Sequence, residues 1–335
     1  MKVAVFSAHK FEKEYLISAN TNKHDLILIE SRLSADTVSL AKGCQVVSIF
    51  VSDDASSPVL EKLNLLGIRF LALRSAGFNH VDLEKAKKLN IKIARVPEYS
   101  PYAVAEYTIA LMLALNRKLI RSHYRIMEQN FSLDGLTGFD MNGKKVGIIG
   151  TGKIGSLVAK ILFGFGCKLL AFDPFQNESL IKQYNLTYTD FNTLCRESDI
   201  ITLHAPLQNE TEYIINEESI SLMKQGVMII NTGRGGLVNT KDIIEALKNS
   251  RIGYFGSDVY EEEEGLFFVD HSEDILQDDI IARLMSFRNV LVTSHQAFLT
   301  DTALRNISNT TIQNIDLFEK GEKIQNEIVF HEPPA

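Results

Sequence analysis

Apolar positions along this chain follow two alternating rhythms. Short runs rich in β-branched and aromatic residues recur at 3–6, 26–29, 46–51, 70–73 and 91–96, and each reads as a strand. Between them, residues 12–18, 35–41, 58–66 and 81–89 carry helical spacing. Strands alternating with helices predict a parallel sheet covered by helices on both faces. Pro97 and Pro101 bracket a turn that interrupts the rhythm. A helical pattern then runs over 102–129, apolar on more than one face in its first half. Such a helix is expected to be buried, joining two domains or packing at a subunit interface.

After a loop marked by Gly135, Gly138 and Gly143, strand-like runs return at 146–149, 168–172, 200–203, 227–230, 253–257 and 290–293. They predict a second doubly wound domain. Residues 301–320 revert to an amphipathic helical pattern through Leu304, Ile307, Ile312, Ile315 and Leu317. Pattern alone does not assign this helix to either half. No internal repeat or low-complexity tract is visible.

The most informative stretch is 146–173. Its strand breaks into Gly150-x-Gly152-x-x-Gly155, continues as a helix, and is followed by a second strand ending in Asp173. In a dinucleotide-binding turn, Gly150 permits the bend, Gly152 lets the backbone approach a pyrophosphate, and Gly155 lets helix and strand pack closely. The phosphates would face the helix N-terminus near Lys153. Asp173 lies 18 residues after Gly155, where a carboxylate can bind ribose hydroxyls and repel a 2′-phosphate, favouring NAD over NADP. Structural turns and methyltransferase loops share the glycine spacing. The flanking strands and the acid favour the dinucleotide.

Composition narrows the remaining classes. A chain of 335 residues accommodates two domains, and 45% hydrophobic with 23% charged residues is ordinary globular composition. The net charge of −7, without a Lys/Arg cluster, argues against nucleic acid as a partner. The longest apolar helical stretch, 107–115, is too short to span a bilayer, and the N-terminus resembles no secretory signal, so a cytoplasmic location is expected. Cys44, Cys167 and Cys195 are too scattered for a disulfide framework or a metal pair and read as core residues; the histidines form no metal pattern either.

Candidate chemistry gathers where the later strands end, the edge at which open parallel sheets bind ligands. One strand runs into His204-Ala205-Pro206, the next into Asn231-Thr232-Gly233-Arg234-Gly235-Gly236. Another runs into Asp258-Val259-Tyr260 and the glutamates at 261–264, and the last into Ser294-His295-Gln296. Arg234 alone is a plausible surface charge, but the glycines around it imply close backbone approach, and a guanidinium grips a carboxylate at two points. His295 alone could simply end a strand. Beside it, one of the four glutamates would orient the imidazole and favour its protonated form. Reduction of a 2-oxo acid needs a hydride from a nicotinamide, a proton donor and a cation for the carboxylate, and these residues could supply the last two.

The chain resembles the D-2-hydroxyacid dehydrogenase family over essentially its whole length, within it the bacterial fermentative D-lactate dehydrogenase branch. The matching stretches are LRSAGFNHVDL from Leu71, VPEYSPYAVAE from Val96, VGIIGTGKIG from Val146, LLAFDPF from Leu169, NTGRGGLV from Asn231, SDVYEEEEGLFF from Ser257 and NVLVTSHQAFLT from Asn289. The resemblance implies a Rossmann NAD-binding domain at 101–299 and a discontinuous, flavodoxin-like substrate domain at 1–100 and 300–335, with the active site in the cleft between them. It implies Arg234 as substrate-binding and polarising residue, His295 as proton donor and Glu263 as its support, with Glu262 and Glu264 adjacent in the motif. Around NAD it implies Gly150, Gly152, Lys153, Ile154, Gly155, Asp173, Ala205, Pro206, Thr211, Thr232, Gly233, Arg234 and Asp258. Around the substrate it implies backbone groups of Ser75, Ala76 and Gly77, with Tyr99 and Phe298 near its side chain.

Reduction of pyruvate to D-lactate by NADH, in a homo-oligomer (dimer or tetramer), is the implied activity. A larger 2-oxo acid such as phenylpyruvate is the alternative, and a non-catalytic NAD sensor the remoter one. The sequence departs from many relatives in three places. Tyr107 follows Ala105-Glu106 where they have His, Ser294 replaces a Pro before the histidine, and Gly233 replaces a Ser before the arginine.

Overall fold

The computed structural model describes residues 1–329; residues 330–335, expected at the end of the discontinuous domain, lie outside the described residues. The chain divides into two compact units, Met1–Ser100 joined by the chain from Leu299 onward, and Pro101–Phe298.

The first unit runs β1 (Lys2–Val5), α1 (Lys10–Asn20), β2 (Asp25–Leu28), β3 (Val46–Ile49), α2 (Ser57–Leu65), β4 (Phe70–Leu73), α3 (Leu83–Lys88) and β5 (Lys92–Ala94). All strands pair in parallel in the order β2-β1-β3-β4-β5, a flavodoxin-like order. β3 and β4 are buried at every position, as central strands between helical layers must be, whereas edge strand β2 is not. The helix expected at 35–41 is only a short 3₁₀ turn, Val38–Ala41. Thr37 Oγ1 accepts from Ser34 N and donates to Arg32 O, and Ser34 Oγ accepts from Asp36 N, so hydroxyls take the groups an α-helix would use.

The second unit contains α4 (Pro101–Asn116), α5 (Leu119–Met127), β6 (Lys145–Ile149), α6 (Lys153–Gly164), β7 (Lys168–Phe172), α7 (Glu178–Tyr184), β8 (Thr187–Tyr188) and α8 (Phe191–Glu197). It continues with β9 (Ile200–Leu203), α9 (Glu217–Leu222), β10 (Val227–Asn231), α10 (Thr240–Lys248), β11 (Ile252–Ser257), α11 (Asp279–Met285) and β12 (Val290–Val292). Its parallel sheet has the order β12-β11-β10-β9-β6-β7-β8. Counted from β6 this is the Rossmann order extended by one strand, and the direction of winding reverses between β6 and β9.

The last helix, α12 (Asp301–Lys320), returns to the first unit, where Ile312 and Ile315 pack with Val3, Val5 and Phe70, and Phe318 stacks on Phe70 at 4.6 Å.

The single helix expected over 102–129 is two, broken at Lys118, whose φ is +50°. The Asn116 amide donates to Phe139 O and accepts from Phe139 N, and the Lys118 amine donates to Thr137 O, so the returning chain fastens the break. The apolar residues of the first half, Ala105, Ile109, Leu111, Met112 and Leu115, pack with Val146, Val158 and Leu162 inside the second unit. By contrast, α5 has no buried residue and leaves Leu119, Ile120, Tyr124 and Met127 exposed.

Candidate active site

The glycine turn sits between β6 and α6, at the point where the winding of the sheet reverses. Gly150 has φ +89°, and a Cβ there would lie 2.6 Å from Ala205 N, so both conformation and space require glycine. A Cβ on Gly155 would lie 2.0 Å from Gly150 O, whereas one on Gly152 would meet nothing within 4 Å. Gly152 is the N-cap of α6 and has no capping side chain, so space and first-turn N–H groups coincide. Asp173 follows β7. Its Oδ2 accepts from Thr151 N at 2.6 Å and Thr151 Oγ1 at 3.1 Å, and its Oδ1 accepts from Phe175 N at 2.8 Å. The turn and the acid are thus one hydrogen-bonded unit, with an anion cradle at one end and a carboxylate at the other. These residues fit a dinucleotide.

The other expected cofactor contacts border this turn. Lys153 and Ile154 open α6, and Ala205 N lies where a side chain on Gly150 would clash. Thr211 Oγ1 donates to Pro206 O at 2.6 Å and accepts from Gln208 N, closing the loop after β9. His204 pairs with the Thr202 hydroxyl at 2.9 Å, and burial pushes its pKa down to about 3. It is a neutral structural residue rather than an acid.

Arg234 lies just past β10. The Asn231 side chain accepts from Gly233 N and donates to Arg234 O, so the strand's last residue sets the loop. The guanidinium donates to Gly233 O at 2.8 Å. Gly235 accounts for part of the glycine clustering: a Cβ there would lie 2.1 Å from the carbonyl carbon of Tyr260. The close approach read from the sequence is therefore to the chain after β11, which locks the Arg234 and glutamate loops together. Thr232 is buried and bonds Thr108 of α4 through their hydroxyls at 2.8 Å.

Of the four consecutive glutamates, Glu263 reaches the histidine. His295 Nδ1 and Glu263 Oε1 are 2.8 Å apart, and Glu263 Oε2 accepts from Tyr260 N. Glu261 instead accepts from Thr240 N at the start of α10. His295 has φ +50°, an uncommon conformation for a histidine. Asp258 holds it there. Its backbone oxygen accepts from His295 N at 2.6 Å, and its carboxylate accepts from Thr293 Oγ1, Gln296 N and Ala297 N. Burial pushes the Asp258 carboxyl pKa up, against the pull of those hydrogen bonds. Asp258, expected beside the nicotinamide, is fully buried and braces the His295 loop.

Two positioning contacts had no clear signal in the sequence. Tyr107 Oη accepts from Gln296 Nε2 at 2.6 Å, tying α4 to the residue after His295. Only the departure from His at position 107 marked that residue. In the first unit, Arg74 is buried and donates to both oxygens of Glu12 and to Phe6 O, Ser7 O and Ser48 Oγ. It directly precedes the turn of Ser75, Ala76 and Gly77, within which Ser75 Oγ donates to Gly77 O and Arg95 donates to Ala76 O. Tyr99 O accepts from Asn306 Nδ2 at 2.6 Å, and Phe298 is buried at the end of the second unit. All three cysteines are free and buried, and burial pushes the thiols of Cys167 and Cys195 up to about 11 and about 12. Among the described residues, no helix is long and apolar enough to cross a membrane.

Comparison with known proteins gives these features a lineage. Residues 109–297 match the family model described as D-isomer specific 2-hydroxyacid dehydrogenase, NAD binding domain. The D-lactate dehydrogenase of Escherichia coli K12 is 50% identical over 330 residues, 98% of this chain and 100% of that protein. Among solved structures, the pyruvate reductase of Chlamydomonas reinhardtii superposes with a TM-score of 0.93 at 41% identity, covering 97% of this chain and 98% of that one. The Aquifex aeolicus D-lactate dehydrogenase, complexed with NAD and lactic acid, superposes with a TM-score of 0.87 at 34% identity, covering 98% and 100%. The glycine turn and Asp173 thus lie within an NAD-binding domain, and the chain belongs to the D-isomer specific 2-hydroxyacid dehydrogenase family.

Proposed function

We propose that this enzyme reduces pyruvate to D-lactate, reversibly, with His295 as the proton donor. The observation that carries the reading is the 2.8 Å contact between His295 Nδ1 and Glu263 Oε1 at the carboxyl edge of the NAD-binding sheet. Resemblance to proteins named D-lactate dehydrogenase and pyruvate reductase supports the choice of substrate. NADH, when bound, supplies the hydride. Gly150, Gly152, Lys153, Ile154 and Gly155 would hold its pyrophosphate and Asp173 its adenosine ribose, with Ala205, Pro206, Thr211, Thr232, Gly233 and Asp258 around the remainder.

The residues divide the rest of the reaction. With Nδ1–H donated to Glu263, the protonated imidazole presents its second proton on Nε2, which it gives to the substrate oxygen. Arg234 grips the carboxylate and polarises the carbonyl. Backbone N–H groups of Ser75, Ala76 and Gly77 take a share of the carboxylate, and Tyr99 and Phe298 bound the side chain. In this reading the first unit is the substrate domain, 1–100 with 300–335, and 101–299 is the NAD domain.

We place the enzyme in the cytoplasm as a homo-oligomer. The exposed apolar face of α5, continued by exposed Phe131 and Leu133, supports self-association. Purified protein given NADH and pyruvate should lose NADH absorbance and yield the D isomer, with a higher kcat/KM for pyruvate than for phenylpyruvate. Absence of turnover with every 2-oxo acid tried would overturn the reading.

A further inference from the structure

Between Glu263 and α11 the chain forms a loop to which the reaction so far assigns nothing. Phe268 within it has φ +67°, a left-handed conformation that a bulky aromatic residue rarely adopts. The surrounding chain enforces it. Glu263 O accepts from both Leu266 N and Phe267 N, folding the loop back on the glutamate. Phe267 is buried in the main apolar cluster of this unit. Farther along, the His271 ring bridges Gly265 O at 3.1 Å and Asp274 Oδ2 at 3.0 Å, closing the loop.

The result is an aromatic ring beside the proposed proton donor. Phe268 and His295 have ring centroids 5.9 Å apart with an interplanar angle of 38°. Phe267 is the buried anchor of the loop, while Phe268, half-buried, packs against the same apolar cluster and lies beside the imidazole. Glu263 fixes one nitrogen of the imidazole, and a ring with one tether can still swing about it. A tilted aromatic ring beside the imidazole would limit that freedom.

We propose that Phe268 is a positioning residue for His295, holding the imidazole plane in the orientation set by Glu263. The proposal rests on the reading of His295 as proton donor. It gives a purpose to the left-handed backbone at Phe268, since strained residues persist where surrounding structure enforces them and often serve a site.

The test replaces Phe268 by Asn, which tolerates left-handed backbone and removes the ring, and by Tyr, which keeps the ring. Wild-type turnover with pyruvate and NADH is established first. If no 2-oxo acid is reduced, the functional reading itself has failed. With turnover in hand, Phe268→Asn should lower kcat about tenfold or more while NADH affinity, read by fluorescence titration, and the melting temperature stay close to wild type. Phe268→Tyr should recover most of the rate. In a His295→Gln background, Phe268→Asn should have no further effect on the residual rate, because both changes act through one group. A Phe268→Asn rate within twofold of wild type would overturn the proposal. So would loss of rate accompanied by loss of NADH affinity, no recovery with Tyr, or a full additive loss in the double variant. If Phe268→Asn does not fold, Phe268→Leu, which keeps the bulk without the flat ring, carries the same measurements and criteria.

Discussion

Each unit of this protein holds one carboxylate–cation pair beside the residues proposed for chemistry, and the two pairs are built differently. In the first unit, Arg74 and Glu12 are 0% and 3% exposed in their side chains, joined through two nitrogens, with the remaining guanidinium donors on backbone and Ser48. In the second, His295 and Glu263 are 19% and 27% exposed and joined by one contact. A buried, fully bonded pair is costly to break and cannot exchange protons with solvent. A partly exposed pair gains little stability but leaves its ring within reach of solvent. The first is suited to holding the Ser75 turn and the second to proton transfer.

Removing the donor separates the two roles most sharply. His295→Gln should lower kcat for pyruvate reduction by about 10²–10⁴-fold with little change in melting temperature, in steady-state assays beside a thermal scan. A variant that kept its rate would remove His295 from the mechanism. Glu12→Gln should do the reverse, leaving a buried guanidinium without its counter-charge. A loss of about 3–5 kcal/mol in urea unfolding is expected. A midpoint equal to wild type would mean that the pair is not the brace of the first unit.

Asp173 is a third carboxylate that sharpens the contrast, because backbone N–H groups and a hydroxyl hold it rather than a cation. Its charge is therefore available to a ligand. Asp173→Ser should raise the ratio of kcat/KM for NADPH over NADH roughly tenfold, equivalent to about 1.4 kcal/mol. Initial rates with both cofactors would read the change, and an unaltered ratio would deny Asp173 the role of excluding a 2′-phosphate.

Most of the scaffold was legible in the chain because parallel strands buried on both faces leave continuous apolar runs, as at Phe70–Leu73 and Ile200–Leu203. The glycine turn was legible because each glycine answers a separate steric demand. Short pieces left no such trace: β8 has two residues, and α9 and α11 have six and seven. The break after α4 was hidden because Asn116 and Lys118 fasten it through Phe139 and Thr137, partners distant in sequence. The site was legible as residue types at strand ends, including the glutamate run. Which oxygen meets which nitrogen was not, since that depends on loop closure by Asp258, Tyr107 and the turn at Tyr260. Arg74 gave no signal, because a buried arginine reads like a surface one until its acceptors are known.

The contrast between the pairs is tested most directly by measuring kcat for pyruvate reduction and urea stability together in wild type and Glu263→Gln. If Glu263 positions the His295 imidazole for proton transfer, removing the carboxylate should act on the rate. Glu263→Gln should lower kcat about tenfold or more while urea stability changes by less than about 1 kcal/mol. A kcat within twofold of wild type would contradict the account, because the pair at the edge of the NAD-binding sheet would then not position the proton donor.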